Sequence, residues 1–353
     1  MRIPTEPIGS IPRPAELIAA RQAAQEGRMT AGEFARVAGV ALRDTIRLFE
    51  ETGSPVITDG EQTKSSFATY PLEGVSNLAP DGVVIPFEDG HTRQLPRLTS
   101  GPFRYGVHAA TYLAAAKRLT TLPVKQAVIS ASALSLLYPA SEIPGYSREA
   151  FLADLVGEAV ADIRSCLEQG ADSVQIDFTE GRLSLRLDPS GGLLENFIAL
   201  NNRVLDHFST EERQRIGVHT CPGGDRDATH SAAVDYAGLL PALFRLHVGR
   251  FYVQLASDKD PVRVLEIIGR HMQPGQTVFV GVIDPIDPTI ETPAQVRERV
   301  LLAARFLPAA QFGTTDDCGF APFADDTSTS REIAFAKVRA RVEGTQLAAQ
   351  VLQ

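Results

Sequence analysis

Residues 148–179 read REAFLADLVGEAVADIRSCLEQGADSVQIDFT and combine two patterns that together indicate an α/β fold. Over 148–169 the apolar residues recur every three or four positions, which predicts an amphipathic helix. Over 173–179 a short apolar run ends in polar residues, which predicts a buried strand. An amphipathic helix followed by a buried strand is the repeating unit of a parallel sheet.

The same alternation runs along the whole chain. Further strands are predicted at 55–61, 124–131, 215–221, 251–257, 277–284 and 310–315, and a first strand ends at Ile8-Gly9-Ser10. Eight such units in 353 residues favour a closed (β/α)8 barrel, with an open doubly wound sheet as the alternative fold. A last helical stretch at about 328–350 is expected to close the barrel or to pack across its end.

One segment interrupts the alternation. Residues 72–103 contain an extended run up to Phe87, then Asp89-Gly90, then a second extended run to Leu98, which predicts a β-hairpin. We interpret it as an excursion after strand 2 that serves as a lid or as an oligomer contact. The sequence leaves open whether the chain forms a homodimer. Without a repeat or a linker, we expect residues 1–353 to form a single barrel domain.

Charge and composition exclude several classes of protein. Lysine and arginine number 34 against 43 aspartates and glutamates, and the net charge of −9 disfavours nucleic acid and anionic membranes as partners. The start lacks an apolar signal core, and no run approaches the about 18 apolar residues that span a bilayer, so we expect a cytoplasmic protein. Three widely spaced cysteines predict metal binding or catalysis, and no disulfide framework.

Polar and metal-binding side chains follow the predicted strands. In a barrel the carboxyl ends of the strands meet at one face, where function is expected. The residues at these ends are Ser10, Glu61, Asp177, His219, Cys221, Gln254, Asp284, Asp317 and Cys318. Two thiols and an imidazole among carboxylates suit zinc better than magnesium or calcium, which prefer oxygen ligands alone.

Two nearby features receive other interpretations. Cys166 lies on the apolar stripe of the 148–169 helix, so we expect it in the core. Gly223-Gly224-Asp225 follows Cys221, and we expect a tight turn there because glycine tolerates backbone angles that other residues avoid.

Five segments together resemble the catalytic barrel of cobalamin-independent methionine synthase, in order and spacing, along nearly the whole chain. They are Ile8-Gly9-Ser10-Ile11-Pro12-Arg13-Pro14, Asp59-Gly60-Glu61, Val174-Gln175-Ile176-Asp177, His219-Thr220-Cys221 and Asp316-Asp317-Cys318-Gly319. The resemblance covers the C-terminal barrel of the long, two-barrel form and is that of a short single-barrel member.

This resemblance implies a zinc enzyme that transfers a methyl group to the sulfur of homocysteine. It implies that His219, Cys221 and Cys318 bind zinc, and that Ser10, Glu61 and Asp177 hold the amino-acid part of homocysteine. A thiol coordinated to zinc loses its proton more easily, and carboxylates pair with an ammonium group, so the chemistry is consistent with these roles.

The chain departs from the family pattern at three places. Gln254 stands where the family has a glutamate zinc ligand, so we expect it to be a further candidate ligand, although a neutral amide binds zinc more weakly. The family's histidine proton donor is replaced around Ile286, where Asp284 or Asp287 could substitute for it, and Asp284 and Asp317 are the candidate catalytic carboxyls. Tryptophan, which helps to stack the pterin in the long enzymes, is absent. The methyl donor therefore stays open between methyltetrahydrofolate, in a polyglutamylated form, and a methyl-corrinoid.

We expect a zinc-dependent S-methyltransferase that acts on homocysteine or a similar small thiol. The alternatives are a zinc-dependent alkyltransferase that uses another thiol, as the epoxyalkane:coenzyme M transferases do, a uroporphyrinogen-decarboxylase-like barrel, and a non-catalytic zinc- or thiol-binding protein. The uroporphyrinogen decarboxylase reaction needs no metal, so the metal-binding residues count against that alternative.

Overall fold

The computed structural model describes residues 3–221, 223 and 229–352, and this part of the chain contains ten strands and twelve α-helices. The strands are β1 Leu78–Ala79, β2 Val84–Pro86, β3 Thr92–Gln94, β4 Arg97–Leu98, β5 Gln126–Ile129, β6 Val174–Asp177, β7 Ile216–Thr220, β8 Arg250–Val253, β9 Thr277–Ile283 and β10 Phe312–Asp316. The helices are α1 Ala15–Gln25, α2 Ala31–Glu51, α3 Ala110–Lys117, α4 Ala131–Leu134, α5 Arg148–Glu168, α6 Glu180–Leu187, α7 Gly192–Leu205, α8 Thr210–Arg213, α9 Leu240–Leu243, α10 Pro261–His271, α11 Pro293–Ala303 and α12 Arg331–Val351.

Six strands form a parallel sheet in the order β10-β9-β8-β7-β6-β5, and two short extended segments close it into a barrel. Thr5 forms a parallel bridge with Thr314 of β10, and Ile57 forms one with Val124 just before β5. The first two segments join each other where the Ile11 amide donates to the Gly60 carbonyl at 3.0 Å. The predicted (β/α)8 barrel is confirmed.

Several predicted strands are shorter than expected, and for two of them the local reason is clear. Strand 55–61 is reduced to the bridge at Ile57, because Gly60 (φ +64°) and Glu61 (φ +54°) turn the chain out of the extended conformation. Strand 251–257 ends at Val253, because the amides that follow donate to the Asp317 carboxylate instead of to a neighbouring strand.

The two helices that the sequence analysis delimits lie where they were predicted, as α5 and α12. Helix α5 occupies Arg148–Glu168, and Ser147 caps it by accepting from the Ala150 amide. Cys166 of α5 is fully buried, as expected for a core residue. Helix α12 is attached to the barrel by buried Arg341, which donates to the carboxylate of Asp316 in β10. None of the helices in the described ranges is long and apolar enough to cross a membrane.

The predicted hairpin follows the second barrel segment and lies over the mouth of the barrel. Strands β2 and β3 pair antiparallel, and β1 pairs with β4. Arg93 of β3 forms ion pairs with Asp325 and Asp326, in the loop after β10. On the other side, the Glu88 amide donates to the Thr229 carbonyl at 2.9 Å. The excursion therefore lies over the cavity entrance, and its role as a lid or as an oligomer contact stays a prediction.

Candidate active site

A cavity of about 440 Å³ opens at the carboxyl ends of the barrel strands, beneath the hairpin. Its wall on the hairpin side includes Ile85, Phe87 and Arg93. Six of the predicted site residues line it: Ser10, Glu61, Asp177, His219, Cys221 and Cys318. Gln254, Asp284 and Asp317 are not among its described lining residues.

His219, Cys221 and Cys318 form a compact, buried group whose potential ligand atoms all lie within 4.8 Å of one another. His219 lies in β7 and Cys221 follows that strand, so strand alternation places both side chains on the same side. Cys318 comes from the loop after β10, and its Sγ lies 2.8 Å from that of Cys221. Barrel closure therefore joins two segments that are far apart in sequence.

This group fits a zinc ion. Two thiols and one imidazole match the ligands that zinc prefers. Within the described structure neither ring nitrogen of buried His219 has a nitrogen or oxygen hydrogen-bond partner, and the polar group beside the ring is the Cys221 thiol. Buried polar atoms are almost always partnered, so these orphaned nitrogens suit a metal ligand. A catalytic zinc commonly has three protein ligands and one open position.

Ser10 connects the first barrel segment to the loop that carries Cys318. The Ser10 hydroxyl accepts from the Ala321 amide at 3.2 Å, and its carbonyl accepts from the Phe320 amide at 3.0 Å. A Cβ atom at Gly319 would come within 2.1 Å of the Ser10 hydroxyl, so this close approach requires glycine.

Glu61 is buried at the cavity in a left-handed backbone conformation, which a bulky residue adopts at a cost of order 1–3 kcal/mol. Two hydrogen bonds stabilise this strained conformation. Asp59 accepts from the Glu61 amide at 3.0 Å, and Arg13 donates to the Glu61 carbonyl at 2.7 Å. Lys64 lies 3.5 Å from Oε1, while Oε2 has no partner in the described ranges. Burial raises the pKa of Glu61 to about 7, which the Lys64 ammonium opposes.

Asp177 ends β6 next to His219, its register partner in β7. Gln175 donates to Asp177 Oδ1 at 2.8 Å and accepts from buried Lys125 at 2.8 Å. A lysine ammonium only donates, so it fixes the amide of Gln175 with its NH₂ group towards Asp177. Burial raises the pKa of Asp177, and His219 opposes this rise.

Asp317 is buried and holds the segment that follows β8. Its carboxylate accepts from the amides of Leu255, Ala256 and Ser257 at 2.7–2.9 Å and from the Ser257 hydroxyl at 2.7 Å. A Cβ atom at Gly281 would come within 1.8 Å of Asp317 Oδ1, so β9 has a glycine there. These contacts give Asp317 a positioning role, and its catalytic role stays a prediction.

Gln254 and Asp284 each form hydrogen bonds with neighbouring residues. Gln254 Oε1 accepts from Arg182 at 2.8 Å, and its Nε2 donates to the Ser257 hydroxyl at 2.6 Å. Asp284 Oδ1 accepts from the Ile286 amide at 2.9 Å, in a turn after β9. The ligand role of Gln254 and the catalytic role of Asp284 remain predictions. The predicted turn after Cys221 is described only in part. Gly223 has φ +107°, whereas Gly224 and Asp225 lie outside the described residues.

The sequence analysis missed several buried charged residues around the site, among them Lys64, Lys125, Glu180 and Arg182. Glu180 lines the cavity, and its Oε1 accepts from Ser130 at 2.6 Å and from Ser132. Burial raises the pKa of Glu180 to about 7, which the two hydroxyls oppose. The only signal in the sequence is spacing, since Lys64 and Glu180 each follow a predicted site carboxylate by three residues.

One family model covers nearly the whole chain. The family described as "Cobalamin-independent synthase, Catalytic domain" matches residues 3–345. A methionine synthase from Sulfurisphaera tokodaii is 22% identical over 99% of this chain and 94% of its own length. A 5-methyltetrahydropteroyltriglutamate–homocysteine methyltransferase from Herpetosiphon aurantiacus is 23% identical over 98% of this chain, which spans only 43% of that relative.

A solved structure shows the same fold. A B12-independent methionine synthase from Shewanella sp. W3-18-1, in complex with selenomethionine, superposes with a TM-score of 0.76 at 19% identity, covering 100% of this chain and 99% of the other. At this identity the similarity shows the barrel fold alone.

Proposed function

We propose, from the premise that this chain belongs to the family of cobalamin-independent synthase catalytic domains, that it is a zinc-dependent S-methyltransferase acting on homocysteine or a similar small thiol. The observation that carries the proposal is one cavity that is lined both by a His219/Cys221/Cys318 group and by the carboxylates of Glu61 and Asp177.

The metal-binding group and the two carboxylates have separate roles in the cavity. Zinc, when bound by His219, Cys221 and Cys318, lowers the pKa of a coordinated thiol so that a thiolate is present at neutral pH. Glu61 and Asp177 bind the ammonium group of an amino-acid thiol through charge-assisted hydrogen bonds. Their orientation is preset by Lys64 and by Gln175, so little reorganisation is needed when the substrate binds.

The transfer forms a carbon–sulfur bond and breaks the bond between the methyl carbon and the donor atom, whose electron pair stays with the leaving group. The thiol proton passes to solvent when the thiolate forms, and a folate leaving group takes up a proton at nitrogen, which requires a proton donor. Glu180 lines the cavity with a pKa of about 7, so it is suited to supply this proton. Asp284 and Asp317, the carboxyls predicted as catalytic, line no described part of the cavity.

Two observations weigh against the alternatives. A thiol that carries a sulfonate, such as coenzyme M, would meet the buried carboxylates of Glu61 and Asp177, and like charges repel. A uroporphyrinogen-decarboxylase-like reaction makes no use of the His219/Cys221/Cys318 group. A non-catalytic zinc- or thiol-binding protein differs from the enzyme only in turnover, and the experiment below separates them.

The test is methionine formation by the zinc-loaded protein. It is incubated with homocysteine and, in separate reactions, with methyltetrahydrofolate carrying one or several glutamates, with methylcobalamin and with a methyl-corrinoid protein. We expect methionine from the polyglutamylated or corrinoid donors and weak use of the monoglutamate, because the chain has no tryptophan to stack a pterin. Full zinc occupancy without methionine from any donor would show a binding protein.

A further inference from the structure

A buried arginine holds the side chain of Gln254, the candidate fourth ligand of the sequence analysis. Arg182 of α6 donates from Nη1 to Gln254 Oε1 at 2.8 Å, and both residues are about 95% buried (4% and 5% exposed). Arginine has donors only, so the amide must present its oxygen to Arg182. Its Nε2 donates to the Ser257 hydroxyl at 2.6 Å, so both polar atoms of the amide have partners.

Gln254 lies close to the metal-binding group in the barrel. The register of β7 and β8 pairs Thr220 with Val253, and Cys221 and Gln254 are the next residues of the two chains. Of the side-chain atoms of Gln254, only the amide oxygen could bind a cation well. Its hydrogen bond to a guanidinium occupies one of the two lone pairs of this oxygen and makes it a weaker ligand.

Arg182 itself is held by neutral groups. Its other donors reach the carbonyls of Val234 (2.6 Å from Nη2) and Ala232 (2.9 Å), and its guanidinium lies 5.1 Å from the ring centroid of Tyr236. No carboxylate hydrogen-bonds to it within the described part of the chain. A buried cation is costly unless negatively charged groups lie near it. The groups whose charges act on Arg182 are Tyr236, Cys221, Asp258 and Asp235.

We propose that Arg182 keeps Gln254 from ligating the metal, so that His219, Cys221 and Cys318 are the protein ligands and the substrate thiolate takes the fourth position. A divalent ion with two cysteine thiolates is neutral, and a third thiolate makes the centre negative. The positive charge of Arg182 offsets this added charge. The inference rests on the proposed thiol chemistry and names the residue that adapts the site to an external thiolate.

The ligand count is tested on Gln254→Ala. The measurements are zinc per protein, the zinc dissociation constant in competition with a chromophoric chelator, and the absorption spectrum of the cobalt(II)-substituted protein without thiol. We expect one zinc, a loss of zinc affinity no larger than the about 10- to 100-fold that changes outside the ligand shell cause, and an unchanged cobalt spectrum. A changed cobalt spectrum with a much larger loss of affinity would show that Gln254 is a ligand and overturn the inference.

The charge balance is tested on Arg182→Gln, with Arg182→Lys as the charge-conserving control. We expect Arg182→Gln to keep its metal but to bind homocysteine about tenfold more weakly, because one charge-assisted contribution of about 1.4 kcal/mol is lost. Arg182→Lys should recover most of this affinity. Equal thiol affinity in the parent and Arg182→Gln would refute the role of Arg182.

The two proposals fail in different ways. A parent protein that binds no zinc would refute the proposed function itself, whereas a zinc-loaded, active parent with a Gln254 ligand refutes only this inference. Circular dichroism establishes whether each variant folds. If Arg182→Gln does not fold, the comparison of the parent with Gln254→Ala decides the ligand count alone.

Discussion

The Sγ atoms of Cys221 and Cys318 lie 2.8 Å apart, although 97 positions separate the two residues in the chain. Cys221 follows β7 and Cys318 follows β10, so β8 and β9 lie between the two strands in the sheet. The contact depends on the curvature of the closed barrel, because in a flat sheet two intervening strands would keep these chain ends about 14 Å apart.

Replacing Cys318 by serine tests the fold and the metal centre together. A serine hydroxyl resists deprotonation and is a poor zinc ligand, so we expect zinc affinity to fall by more than the about 10- to 100-fold that outer-shell changes cause. Methyl transfer should fall with it, while the core keeps the variant folded. Cys166→Ser, in the buried stripe of α5, is the matched control and should spare both. Full zinc occupancy in Cys318→Ser would rule out the proposed centre.

Asp177→Asn tests recognition of the substrate ammonium. The loss of one charge-assisted bond is worth about 1.5–3 kcal/mol, so homocysteine should bind roughly ten- to a hundredfold more weakly. Zinc content should stay at the parent level, because Asp177 is not in the metal-binding group. Isothermal titration with homocysteine measures the effect. An unchanged affinity would leave a simpler thiol, without an amino group, as the better candidate substrate.

Asp317→Ala distinguishes a positioning role from a catalytic one. Removing the carboxylate leaves the amides of residues 255–257 without their acceptor, and we expect a loss of about 2–4 kcal/mol in the free energy of unfolding. Urea denaturation measures this loss. A purely catalytic residue would instead lose turnover at unchanged stability. That result would restore the catalytic prediction for Asp317.

Glu180 should make stability depend on pH. Its pKa rises from 4.5 to about 7 in the folded protein through burial, so the folded state holds this proton more tightly than the unfolded chain does. The contribution of Glu180 to the free energy of unfolding should therefore fall as the pH rises from 4.5 to 7 and stay constant above 7.

The Glu180→Gln variant removes this titration and keeps an oxygen for Ser130 and Ser132. Its stability relative to the parent should increase between pH 5 and pH 8, as measured by urea denaturation at each pH. The same difference in stability at both pH values would show that the folded protein does not raise this pKa.

Much of the fold could be predicted from the periodicity of apolar residues, because a buried strand or an amphipathic helix depends mainly on residues that are neighbours in the sequence. Helix α5 was predicted to within one residue, and the 72–103 hairpin was predicted from Asp89-Gly90 between two extended runs. The ends of strands were less predictable. Where strand 251–257 stops depends on Asp317, a residue about 60 positions away that takes up the backbone amides.

The sequence by itself determined which side chains stand at the strand ends, and so which atoms are offered to a metal and to a substrate. Tertiary structure decided which of them meet in the cavity, and how each is paired. Asp317 and Gln254 stand at strand ends as predicted, yet Asp317 supports a backbone segment and Gln254 is held by Arg182. The reason is physical: a hydrogen bond is directional and short, and its partner can come from any segment that barrel closure brings within about 3 Å.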